Sequence, residues 1–147
     1  MLNSLKVSAV ELSKYIVTKC VQDDCSISNL QLQKILYYIQ KYFLKHDSLA
    51  FSDEIEAWQF GPVVPNSYYA FCGFGAMPIT NTYAQLPNFG NEEKQVIDKI
   101  ISEKRKLDPW QMVQETHKPN GAWDEVYANG LGNHKTIPKD LIKKESE

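Results

Sequence analysis

Two helix starts in this chain are spelled alike, twenty residues apart, and with the turn between them they predict an antiparallel helix pair. Ser8 and Glu11 form a capping box, with Val7 and Leu12 at the spacing of a hydrophobic staple. Ser28 and Gln31 repeat the box, and Ile27 with Leu32 repeats the staple. The spacing predicts a first helix over Ala9–Val21 and a second over Asn29–Lys45, with the polar turn Gln22–Ser26 reversing the chain between them. The first helix offers Leu12, Ile16 and Cys20 on one stripe, with Val17 and Val21 beside it. The second carries a wide apolar face of Leu32, Ile35, Leu36, Ile39, Tyr42 and Phe43. It also has a narrower stripe of Leu30, Tyr37 and Leu44 on nearly the opposite side. A helix apolar on two sides is expected at the centre of its domain, the alternative being that the second stripe is an exposed partner surface.

The rest of the chain reads as shorter pieces. Leu49–Phe60 alternates in part and predicts a short hairpin or irregular extended segment, stopped by Gly61-Pro62-Val63-Val64-Pro65. A third helix is expected over Asn66–Cys72, ended by Gly73 and Gly75, and a long loop over Ala76–Gly90. Asn91 should cap a fourth helix over Glu92–Arg105, whose acidic first turn and basic end suit the helix dipole. Asp108-Pro109 opens a fifth that runs to His117, with Trp110 and Val113 directed inward. Ala122–Tyr127 and the segment around Leu141 and Ile142 are short final turns. Asn129–Lys135 is expected as loop, and Lys143–Glu147 as a frayed charged tail. The fold class expected is a mainly α, single-domain bundle spanning residues 1–147, with its core over 7–142 and an extended or hairpin segment after the second helix.

Chemistry is scarce along this chain. Cys20 and Cys25 are not followed by a second Cys or His pair at metal-site spacing, and His46, His117 and His134 are scattered. Cys72 lies among aromatic residues and reads as a buried thiol. Gly73-Phe74-Gly75 lacks the lysine and the context of a phosphate loop. Asp23-Asp24 and Asp53-Glu54 are turn charges, and Lys104–Lys106 sits where a helix C-terminus favours cations. The expectation is therefore no catalytic residue, no metal and no cofactor. A net charge of −2 argues against a nucleic-acid partner. No apolar run spans a membrane, and the start Met1–Lys6 has no leader pattern, so the expected location is the cytoplasm.

Leu32-Gln33-Lys34-Ile35-Leu36-Tyr37-Tyr38 resembles the "LQKLLYF" helix of the Panacea domain, and Glu56-Ala57-Trp58-Gln59-Phe60-Gly61-Pro62-Val63 resembles that family's "EAW-aromatic-GPV" segment. His117 and Trp123 are similar to its later leucine-His-proline-tryptophan pattern, although no proline precedes Trp123. The family comprises bacterial SocA-like antitoxins and phage-associated GepA-like proteins. The resemblance implies a protein that neutralises a toxin encoded nearby by binding it, in one branch as an adaptor that delivers the toxin to a cellular protease. It also implies that Leu32, Lys34, Leu36, Tyr37, Glu56, Trp58, Gly61, Pro62, His117 and Trp123 build the scaffold. On that view Trp58 and Phe60 pack against Ile35 and Ile39, and Trp58→Ala should lower stability by roughly 3–5 kcal/mol.

Tyr68, Tyr69 and Phe74 on the aromatic third helix, with Tyr83 and Phe89 on the long loop, are the expected partner contacts, because aromatic anchors dominate such interfaces. Two other readings stay open: a DNA-binding regulator of its own operon, and a phage-related enzyme of unrecognised class. Oligomeric state is not encoded in any of these signals.

Overall fold

The computed structural model describes residues 1–146. Helix α1 spans Ala9–Gln22 and α2 spans Asn29–Lys45. Both expected capping boxes close: Glu11 and Gln31 N–H donate to the Ser8 and Ser28 hydroxyls, and the Ser8 and Ser28 N–H groups donate back to the Glu11 and Gln31 side chains. A third box joins Asp108 and Gln111, whose polar partner three residues on had gone unread behind the Asp-Pro signal.

Helix α2 is the axis of the molecule. Leu32, Ile35, Leu36, Ile39 and Phe43 on its wide face are fully buried, and so is Tyr37 of the second stripe, while Leu44 is 8% exposed and Leu30 is half-buried. Around it pack α1, the hairpin β1 (Glu56–Trp58) and β2 (Gly61–Val63), α3 (Pro65–Phe71), α4 (Asn91–Lys104), α5 (Pro109–Thr116) and α7 (Lys139–Lys144). The two-sided apolar pattern thus has its expected meaning, and the fold is mainly α. Each fully buried Leu or Ile on such a helix contributes about 1.5–3 kcal/mol.

The sheet has the order β2-β1-β3, all antiparallel, where β3 is Lys135–Thr136. That third strand lies at the end of the segment expected to be loop. Two residues of it pair with Glu56 and Ala57, too short a run to leave an alternating pattern. Pro62 is tolerated in β2 because β2 is an edge strand. Helix α6 (Ala122–Tyr127) closes the end near β1.

The structure corrects several expectations. Trp110 is not inward: it is 61% exposed. Met112, Val113 and Thr116 form the buried stripe of α5, and a residue two places before Met112 falls on the opposite side. Trp58 and Phe60 do not pack on Ile35 and Ile39. In β1 it is Ala57 that faces the core, so Trp58, its neighbour in a period of two, turns outward, and Phe60 in the hairpin turn is 45% exposed. Cys72 is exposed rather than buried, because Phe71 takes the inward place at the end of α3. The start of the expected frayed tail is docked: Glu145 is buried and its carboxylate meets Lys41 Nζ at 2.8 Å. Residue 147 of that tail lies outside the described residues.

The long loop is strapped down. Ile79 N–H donates to the Ile27 carbonyl at 2.8 Å, and Tyr83 N–H to Thr18 Oγ1 at 3.1 Å. Tyr83 and Phe89 are half-buried, edge-on against Phe71 and Tyr15.

Candidate functional site

The outward turn of Trp58 and Phe60 makes a groove of about 590 Å³ between the hairpin, the N-terminus of α2, α3 and the N-terminus of α5. One aromatic pair forms each wall. Trp58 and Tyr68 meet edge-on at 5.0 Å, with His134 stacked on Trp58 at 4.4 Å. Phe60 and Trp110 meet edge-on at 5.6 Å. Tyr69, 61% exposed, extends the first wall. Leu30 and Val63 add apolar surface between the walls. Among the described residues no Asp, Glu, Lys or Arg side chain lines the groove, on a chain in which charged residues are 23%.

The floor is polar but saturated. Gln33 accepts the Val64 N–H at 2.9 Å and donates to Asn29 Oδ1 and Ser67 Oγ. Asn29 donates to the Tyr68 carbonyl at 3.1 Å, and Ser67 bonds Ser13 at 2.7 Å. A glutamine whose amide is spent on the protein's own backbone fixes the shape of the groove and offers it no reactive group. This network was not legible beforehand. Gln33 looked like one polar position of a helix, and nothing local says that it caps Val64.

Behind the hairpin, residues of the three family-like segments converge. Trp123 Nε1–H donates to the Trp58 carbonyl at 2.7 Å. The Trp123 ring stacks on His117 at 3.6 Å and on Tyr127 at 4.6 Å. Lys34 has no exposed surface, and its Nζ lies 3.5 Å from the Pro62 carbonyl. Burial with no acid beside it pushes the Lys34 amine down to about 7. His117 is held below its usual range, first by burial and then by the Lys34 charge, while the facing Phe60 carbonyl works in the opposite direction. Its buried Nε2 has no partner among the described residues. Gly61 has φ +118°, and a Cβ there would stand 2.8 Å from Lys34 Nζ and 2.9 Å from Thr116 Oγ1. Glycine is required both by the backbone angle and by the amine behind it.

The remaining expected residues divide clearly. Leu32, Leu36 and Tyr37 are core, and Pro62 is buried. Glu56 is half-buried and accepts the Trp58 indole N–H at 2.9 Å. Of the five expected partner contacts, Tyr68 and Tyr69 belong to the groove walls, Phe74 lies half-buried just after α3, and Tyr83 and Phe89 lie against α1. Phe60, Trp110 and His134 are the wall residues that sequence reasoning missed. Among the described residues no cluster of three His, Cys, Asp or Glu side chains could hold a metal ion, and no helix is long and apolar enough to cross a membrane. A second groove of about 290 Å³ between α2 and α4 is edged by lysines, but Lys41, Lys99 and Lys104 are already paired with Glu145, Glu103 and Glu115.

Residues 32–124 match the family described as "Antitoxin SocA-like, Panacea domain". The chain is 29% identical over 140 residues to Antitoxin SocA of Caulobacter vibrioides (strain NA1000 / CB15N), across 87% of this chain and 74% of that protein. No solved structure matches it.

Proposed function

The chain belongs to the family of SocA-like antitoxins with a Panacea domain, and from that premise we propose that it neutralises a toxin protein by gripping it in the aromatic groove. The observation that carries this reading is the groove itself. Two aromatic walls face solvent on a rigid, saturated floor, which is the composition of a binding hot spot. Trp110 and Phe60 are large apolar side chains left exposed beside one another, and adjoining exposure of this kind on a small domain marks an interaction site. Occlusion of a partner requires shape and apolar area and no reacting group, in keeping with a saturated floor.

The partner we infer is a protein encoded near this one; delivery of it to a cellular protease, as in one branch of the family, would use another surface. A charge-free groove favours a protein segment over a nucleic acid, whose phosphates call for Lys and Arg. The test is co-purification of the chain with the product of the adjacent gene, using wild type and Trp110→Ala. Capture that Trp110→Ala weakens tenfold or more supports the groove reading. Capture that it leaves unchanged moves the interface elsewhere.

A further inference from the structure

Two carbonyl oxygens of the hairpin, on Trp58 and Pro62, are met from behind by side chains, and a third side chain backs the first of these. Trp123 donates to the Trp58 carbonyl, Lys34 reaches the Pro62 carbonyl, and the His117 ring stacks on Trp123 at 3.6 Å. The side chains of Trp58 and Phe60, on the same stretch of backbone, are the groove walls. The walls therefore stand where these three residues hold them.

We propose that Lys34, His117 and Trp123 are positioning residues of the groove, and that they present Trp58 and Phe60 to the partner only while Lys34 and His117 carry no added proton. The proposal rests on the groove being the partner site.

Geometry supports it first. Lys34 is completely buried, and a charged ammonium there would have one carbonyl at 3.5 Å and no carboxylate. None of the charged and titratable groups around it is a carboxylate without a partner, although the Tyr37 hydroxyl and His117 Nε2 are buried with no partner among the described residues. On α2 these are Tyr37, Tyr38 and Lys41. On α7, Glu145 is paired with Lys41. On α5, Glu115 is bonded to Tyr38 and Lys104, and beyond it stands His117. On α6, Asp124 caps Asn120 N–H while facing His117. The hairpin brings only backbone oxygens, because Glu56 is turned outward onto the Trp58 indole. Adding a proton to Lys34 thus demands hydration of the site, and the hairpin lies against the amine so closely that Gly61 has no room there even for a Cβ.

Neutral pH is where this matters, since burial brings the Lys34 amine down to about 7. A partner that seats on the held walls selects the unprotonated form, so affinity rises with pH through neutrality, by at most about tenfold per pH unit for each proton. Acidification loosens the walls and releases the partner.

The test begins with the chain alone. His134 stacks on Trp58 and Glu56 accepts its indole N–H, so the proteins followed by NMR carry His134→Asn and Glu56→Gln. Backbone amides of residues 58–63 and the Trp58 and Trp123 indoles are followed by NMR from mildly acidic to mildly alkaline pH. Expected is one shared transition near neutrality that Lys34→Met, which keeps the stem and loses the amine, abolishes. Hairpin signals that ignore pH, or titrate alike in Lys34→Met, overturn the proposal. The second arm is capture of the adjacent gene's product at the two ends of that pH range. Expected is several-fold tighter capture at the higher pH, flattened in Lys34→Met and weakened in Trp123→Phe, which keeps the stack and loses the donor. Capture that requires Trp110 but is indifferent to pH and to Trp123→Phe overturns the brace and leaves the groove. A hairpin that titrates through Lys34 beside a partner indifferent to Trp110→Ala overturns the groove reading instead.

Discussion

Lys34 shows how one residue ties the chain's stability to pH. Its stem packs like that of a core residue, and its amine has nothing to neutralise it. In the unfolded chain a lysine titrates near 10.4, and in the fold this one titrates at about 7. Between those values the unfolded state binds more protons, so stability rises with pH, by up to about 1.4 kcal/mol per pH unit. Below about 7 both states carry the proton and the Lys34 slope ends. His117, lowered from its usual value, extends the loss of stability toward acid pH. Burial raises Tyr37 and Tyr38 and takes Tyr15 to about 12, so their hydroxyls stay protonated in the fold after they have ionised in the unfolded chain. Stability therefore passes through a maximum on the alkaline side of neutrality. Denaturant melts across pH should show this maximum, and Lys34→Met should flatten the rise below it. At Gly61 the expectation is different in kind. Gly61→Ala puts a side chain at φ +118° and against Lys34 and Thr116, and should lower stability by about 2 kcal/mol or more at every pH, as a melting shift would show.

Among the elements, the C-terminal helix α7 is anchored by a buried ion pair just past its end. Glu145 joins Lys41 at 2.8 Å and accepts the Ala122 N–H at 2.9 Å, with the Glu145 and Lys41 side chains 2% and 8% exposed. Glu145→Ala leaves a buried ammonium unpaired and should destabilise by about 3–5 kcal/mol, measured by chemical denaturation. Lys41→Met with Glu145→Leu should recover most of that loss, since replacing both charges removes the desolvation burden. No feature of Lys143–Glu147 distinguishes Glu145 from a solvated charge, because its partner is distant in sequence. The same limit explains the other differences. Both long N-terminal helices were legible because capping boxes and apolar spacing are local. The hairpin was legible as an extended stretch, but its facing was not: whether Ala57 or Trp58 turns inward depends on what α2 presents across the sheet. Trp110 was misplaced because the Met112, Val113 and Thr116 stripe is short enough to be read in more than one phase. Tyr68 and Tyr69 were found by their chemistry, whereas Phe60 and His134 joined the site only through folding. With Trp58 half-buried on the groove wall, Trp58→Ala should cost less stability than a core tryptophan, about 1–2 kcal/mol, a difference that a thermal melt resolves.

For the molecule as a whole, one central helix gathers every other layer and leaves its N-terminal end under an aromatic groove. A core that fixes shape and an aromatic mouth that no charged side chain lines among the described residues are the two parts on which the proposed antitoxin role rests. The most direct measurement is a growth assay in which the adjacent gene is expressed alone, with this chain, and with Trp110→Ala, alongside a melt of each purified protein. The account predicts a growth defect that the wild-type chain relieves, and loss of that relief with Trp110→Ala. The variant's stability should lie within about 0.5 kcal/mol of wild type, because the side chain is exposed. Full relief by Trp110→Ala combined with Phe60→Ala would contradict it, since the groove would then have lost one wall without losing its function.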